Sequence, residues 1–294
     1  MRFFVVAVVL VCSFACARPQ PVERYRVRGT VVSVDADAAR VTVAHLDVPG
    51  YMPAMTMPFR VKDTQMLGAL APGRTITADL VVDGKSSWLE NVVVTSTSGT
   101  QSLPSRVEGA VDPVPGSPAP AFSLTDQDGR RISLEGLRGK SVVVTFIYTR
   151  CPLPDYCPLM TDNFSEIRKL LDADRAVGPK VELVSISIDP EYDTPGVMRA
   201  YAAEHAGANG AVPEGWAFAT GTPEEIRRVA ESYGLVYQTE NGQIVHSLRT
   251  AVIGPDGVLV KVFRGNEWKP AEVVAVVTQL ETQSRSPQPQ SRSR

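Results

Sequence analysis

Two cysteines close together, set between a wholly apolar run and a helical one, constrain this chain more than any other feature. Val142–Tyr148 is a continuous β-branched and aromatic run and predicts a strand buried on both faces of a sheet. After Thr149 and Arg150, Cys151 and Cys157 bracket the proline-rich loop Pro152-Leu-Pro-Asp-Tyr156. Pro158 suits the first turn of a helix, where its missing N–H needs no partner. Met160, Phe164, Ile167, Leu170 and Leu171 then recur at helical spacing, which predicts about four turns. A thiol between a strand end and a helix N-terminus is readily ionised. Two such thiols form either a redox pair or two legs of a soft-metal site.

The rest of the chain supplies the context. Its 294 residues are 44% hydrophobic and 21% charged, ordinary for globular protein and long enough for about two domains. A formal charge of -2 gives no reason to expect nucleic acid or a membrane surface as partner. The other two of the four cysteines lie in the N-terminal stretch MRFFVVAVVLVCSFACARP, whose short apolar run behind one arginine predicts an export signal over residues 1–17. Ala15-Cys16-Ala17 fits a cleavage site, Cys16 is a candidate lipidation site, and an uncleaved anchor is a third route. Export is expected in each case, with the mature chain either free or tethered to the membrane through the N-terminus. The remaining cysteine pair then works in an oxidising compartment.

Residues 25–97 read as all-β. Tyr25–Val34 with Arg40–Ala44, and Thr75–Val82 with Trp88–Thr95, are paired β-rich runs, the second pair joined by the turn signal Asp83-Gly84. Four or five strands in so short a span predict a small barrel. Between the pairs lie His45 and three of the seven methionines, Met52, Met55 and Met57. On a strand, Met55 and Met57 share a face. A methionine pair alone is usually core filler; two thioethers with an imidazole and little carboxylate suit Cu(I) or Ag(I). Pro53, Met55, Thr56 and Met57, with His45 upstream, resemble the motif of the CusF-type periplasmic copper-binding domain. That resemblance implies His45, Met55 and Met57 as ligands. Where the family carries a covering tryptophan this chain has Met52, which leaves Met52 as a candidate third thioether and Tyr51 as a candidate cover.

Residues 98–120, rich in proline, serine and glycine, predict a linker able to hold two domains apart, and residues 283–294 a disordered tail. Between them, residues 121–282 alternate strands and helices: Val181–Ile188, Thr194–Glu204, Ala217–Thr220, Pro223–Tyr233, the pair Thr250–Ile253 and Val258–Phe263, and Pro270–Glu281. This order predicts an α/β domain with a central mixed sheet and helices on both faces. The fold and the cysteine placement resemble the thioredoxin superfamily. Phe146–Thr149 entering the cysteine loop, Ser187–Pro195, Trp216 with Thr220-Gly221-Thr222, and Val245-His246-Ser247 more narrowly resemble the Sco/SenC family. That resemblance implies a periplasmic copper chaperone for the binuclear copper site of cytochrome c oxidase, with Cys151, Cys157 and His246 as ligands. The family loop is C-x3-C, two residues shorter than this one.

Donor chemistry agrees, since two thiolates and an imidazole suit copper cycling between Cu(I) and Cu(II). The rival reading is a thiol–disulfide oxidoreductase or thiol peroxidase using Cys151 and Cys157 as a redox pair, served by a periplasmic thiol reductant. No proline occurs between Pro223 and Pro255, where a dithiol reductase needs one; that region holds His246 instead. Zinc is the weaker metal, and a structural disulfide would stabilise little in an exposed loop. His205 reads as an ordinary helix-end residue, and Asp189, Glu191 and Asp193 as a cap and solvated loop.

Overall fold

The computed structural model describes residues 22–52, 54–83, 86–96, 113–205, 211–235, 237–240 and 243–283. The export signal with Cys16, most of the proposed linker and the tail after Gln283 lie outside the described residues.

The N-terminal part is a five-stranded antiparallel sheet made of β1 (Glu23–Asp35), β2 (Arg40–His45), β3 (Met55–Arg60), β4 (Thr75–Val82) and β5 (Ser87–Ser96). The spatial order is β3-β2-β1-β4-β5. Alternation builds it: Val27 and Val31, Val41 and Val43, and Ile76, Ala78 and Leu80 are fully buried at period two. The hydrogen-bonded ladder does not close into a barrel, although a single bridge, Val61 to Leu89, joins the two edges. Gly29 pairs with His45, and a Cβ there would sit 2.5 Å from the Ala44 carbonyl oxygen. Glycine is therefore what lets β1 approach the histidine end of β2.

The second part is a seven-stranded mixed sheet. It comprises β6 (Ser123–Asp126), β7 (Arg131–Ser133), β8 (Ser141–Ile147), α1 (Cys157–Ala173), β9 (Val181–Ser187), α2 (Pro195–His205), β10 (Trp216–Thr220) and α3 (Pro223–Ser232). A separate hairpin follows, β11 (Tyr237–Glu240) with β12 (Gln243–His246), then β13 (Arg249–Ile253), β14 (Leu259–Arg264) and α4 (Pro270–Gln283). The sheet order is β14-β13-β8-β9-β10-β6-β7, with β8, β9 and β10 parallel. All seven residues of β8 are buried, as its unbroken apolar run requires. α1 presents Met160, Phe164, Ile167 and Leu171 to the core, where Phe164 meets Trp216 with ring centroids 5.9 Å apart. α3 begins with a capping box between Thr222 and Glu225.

The last residues of the proposed linker are tied down. The Gly116 and Ala119 amides donate to Leu259 and Gly257 at 2.7 and 2.9 Å. The chain therefore already runs along the start of β14 before β6 begins.

Candidate metal centres

The end of β8 delivers Tyr148 and the cysteine loop, and α1 opens on Cys157 itself. Cys157 is fully buried, Cys151 partly, and both are free thiols. Cys157 Sγ lies 3.5 Å from His246 Nε2. His246 Nδ1 is 3.0 Å from the Ser247 carbonyl, which can only accept, so Nδ1 carries the proton and Nε2 offers its lone pair to the cysteines. Burial pushes the imidazole down to about 4, so it is neutral near pH 7 and has the form a metal takes. The Tyr148 ring packs edge-on against His246, with centroids 5.8 Å apart.

The two thiols are unequal. Burial alone would push Cys151 up, but hydrogen bonds from the Cys157 thiol, the Cys157 and Leu153 amides and the Tyr148 hydroxyl bring it below its ordinary value. Burial, and then the bond given to Cys151, pushes Cys157 well up. Cys151 is thus the more readily ionised sulfur and Cys157 the proton-holding one. Among the described residues no three His, Cys, Asp or Glu side chains stand in a preformed ligand cluster. Cys157 and His246 are brought together, and Cys151 stands beside Cys157.

The acidic residues after β9 differ from the solvated loop expected. Asp193 is fully buried and Asp189 nearly so; only Glu191 is exposed. Asp193 accepts from the Thr149 amide at 3.1 Å, from the Thr149 hydroxyl, and from Ser187 Oγ at 2.6 Å. Asp189 accepts from Arg150 Nε at 2.6 Å. These carboxylates anchor the two residues that lead into Cys151, a role their sequence pattern did not reveal. Asp193→Ala leaves the Thr149 amide and the Ser187 hydroxyl without that partner. A loss of about 2–3 kcal/mol in folding free energy is expected, measured by urea unfolding.

In the first part, β2 and β3 place His45 directly opposite Met55, with Met57 opposite Val43. The register therefore puts positions 45, 55 and 57 on one face. His45 and Met57 are buried, as is Met52, which bridges to Val48 beyond the end of β2. The Met55 side chain lies outside the described part of the structure. His45 repeats the device seen at His246: Nδ1 sits 2.7 Å from the next carbonyl, Leu46, leaving Nε2 as a free base. That Nε2 is buried with no hydrogen-bond partner among the described residues. Burial lowers the pKa of His45 as well. A buried, unpaired imidazole lone pair costs free energy unless something occupies it, and a soft cation among thioethers is a fitting occupant. The Phe59 ring, 5.6 Å away, is the aromatic against the imidazole. Tyr51 instead stacks on Tyr25 at 4.3 Å and turns its hydroxyl to the Pro152 carbonyl.

The cysteine loop is not exposed as expected, because the first part covers it: Leu153, Asp155 and Tyr156 are buried. β12, the strand that carries His246, was missed in the sequence and packs against β3. The available signal was Asn241-Gly242, a strong hairpin turn pair between two β-rich runs. His205 ends α2 and is exposed, apart from both sites.

Comparison with known proteins places both halves. The SCO1/SenC family profile matches residues 115–281, and that of the copper binding periplasmic protein CusF matches residues 24–92. The SCO1 protein homolog of Bacillus subtilis is 32% identical over 153 residues, covering 51% of this chain and 75% of that protein. An Arabidopsis thaliana mitochondrial SCO1 homolog is 34% identical over 152 residues, covering 49% of this chain and 42% of its own length. The crystal structure of a SCO1/SenC family lipoprotein from Bacillus anthracis is 25% identical with a TM-score of 0.50, covering 56% of this chain and 95% of that one. With more than half its length matched by that family, and a thioredoxin-like fold beneath the match, this chain belongs to the SCO1/SenC family.

Proposed function

We propose that this protein is a periplasmic copper chaperone that takes up Cu(I) and passes copper to the binuclear copper site of cytochrome c oxidase. The observation that carries the reading is the pairing of two soft-donor sets in one chain, each with a histidine whose Nδ1 is committed to the next carbonyl so that Nε2 faces the donor set. In the second domain Cys151, Cys157 and His246 would hold the ion; thiolates favour Cu(I) and the imidazole accommodates Cu(II). In the first, His45, Met55 and Met57 would capture Cu(I), with Met52 as a further thioether. Thioethers need no deprotonation, so this site would load wherever Cu(I) is free. The tether then raises the local concentration of copper at the thiolate site. Membership of the SCO1/SenC family and the match to a periplasmic copper-binding family support the metal and the compartment. No helix among the described residues is long and apolar enough to cross a membrane; this reading includes an anchor through the N-terminus, as lipidated Cys16 or an uncleaved signal.

The depressed Cys151 thiol supports a second role, reduction of the acceptor's own cysteines before copper delivery. In that step Cys151 would attack the acceptor disulfide as thiolate. That attack would free one acceptor thiol and join the other to Cys151 as a mixed disulfide. Cys157 would then attack the Cys151 sulfur and expel the second acceptor thiol, leaving a Cys151–Cys157 disulfide for a periplasmic thiol reductant to reopen. Mixing the copper-loaded chain with the apo copper-binding domain of the oxidase subunit tests the main role. Growth of the absorption bands of the binuclear centre is the expected result. Copper that stays on this chain in the presence of excess reduced acceptor contradicts delivery.

A further inference from the structure

We propose that the spacer Pro152–Tyr156 is the docking platform for the chain's own first domain, and that this contact gates the access of other proteins to Cys151. Four of the five spacer residues are engaged or covered. The Pro152 carbonyl accepts from the Tyr51 hydroxyl at 3.1 Å, and Leu153 is buried. The Asp155 carboxylate accepts from Ser87 Oγ at 2.8 Å, and the Tyr156 hydroxyl donates to the Pro58 carbonyl at 2.5 Å. Partners 101, 68 and 98 residues away thus converge on one short loop.

Charge completes the seat. Asp155 is buried, and Arg40 and Arg60 of the first domain lie within its electrostatic reach. Arg40 also crosses to the turn before α4, where it bonds the Asn266 side-chain oxygen and pairs with Glu267 at 3.5 Å. Asn266 in turn donates to the Asp155 carbonyl at 2.5 Å. Docking is what covers this carboxylate, and the first domain supplies the hydrogen bond and the positive charges that its burial requires. A spacer with so many donors, acceptors and apolar atoms committed to one surface is a recognition element.

Docking has a consequence for the thiols that requires no metal. Tyr51 lies close enough to Cys151 to feel its charge, and β3 lies against β12. A protein approaching Cys151 meets the first domain before the sulfur. An outside partner must therefore displace it, and the interface exposed on release becomes available to that partner.

The test uses the reduced, metal-free full chain and a Tyr51→Phe/Ser87→Ala/Arg40→Ala variant, whose changes all lie outside the cysteine loop. Small-angle scattering of the wild type is expected to show one compact particle, and the variant a larger one. Labelling of Cys151, followed on its own peptide, is expected to accelerate roughly tenfold with a polymer-linked maleimide once three interdomain contacts are gone, and far less with iodoacetamide. Wild-type scattering from two independently moving bodies overturns docking whatever the variant does. Expansion of the variant with unchanged polymer-maleimide labelling overturns the gate.

Discussion

Cys157→Ser is expected to abolish copper binding in the second domain while the fold persists. Serine has nearly the same shape, so the fully buried site keeps its packing. Oxygen, however, is a hard donor that holds its proton at neutral pH. The sulfur it replaces is the one aligned with His246 Nε2 at 3.5 Å. Loss of a direct ligand should exceed what loss of an outer-shell partner costs, so the Cu(I) affinity of this site should fall by more than about 100-fold. His246→Ala should act in the same direction. Competition against a chromophoric Cu(I) chelator gives the affinity, and the thermal melt separates a lost ligand from a lost fold. Undiminished affinity with serine at 157 would remove this cysteine from the site.

The second large effect is expected in the first domain. Met55→Leu/Met57→Leu removes both thioethers but conserves volume, and volume-conserving core swaps usually cost less than about 1.5 kcal/mol per site. The melting temperature should therefore change little while the first copper is lost. Alanine would be a poorer probe at Met57, because a buried side chain cut back leaves a cavity and confuses stability with binding. Met52→Leu discriminates further: retention of copper assigns Met52 to the core it shares with Val48. If the double leucine variant binds copper as the parent does, the thioethers are packing residues only.

Much of the fold was legible because burial writes itself into local pattern. Val142–Ile147 could be read as a central strand since a two-sided environment excludes polar residues from it. Pro158, Pro223 and Pro270 marked helix starts that α1, α3 and α4 confirm within a residue or two. The hairpin bearing His246 was missed although Asn241-Gly242 announced it, so the histidine was placed by resemblance rather than by its strand. What sequence could not give was contact between distant segments. Asp193 looks like a helix cap until β8 brings Thr149 onto it. Tyr51 looks like a cover for the methionine site, yet its hydroxyl is bonded to Pro152, 101 residues away. A proline-rich loop reads as exposed when nothing local says that another domain lies on it. The neutral state of His45 and His246 is equally non-local, since burial by distant segments lowers both pKa values, while only the tautomer is set locally by the next residue's carbonyl.

X-ray absorption at the copper edge, with metal analysis, on the reduced full chain loaded with Cu(I) tests the central claim most directly. The account predicts about two coppers per chain, one with thiolate and imidazole donors and one with thioether and imidazole donors. The first should disappear with serine at positions 151 and 157, and the second with leucine at 55 and 57. A chain that binds no copper at its cysteines but turns over disulfide substrates vigorously would contradict it and make the protein a thiol–disulfide oxidoreductase.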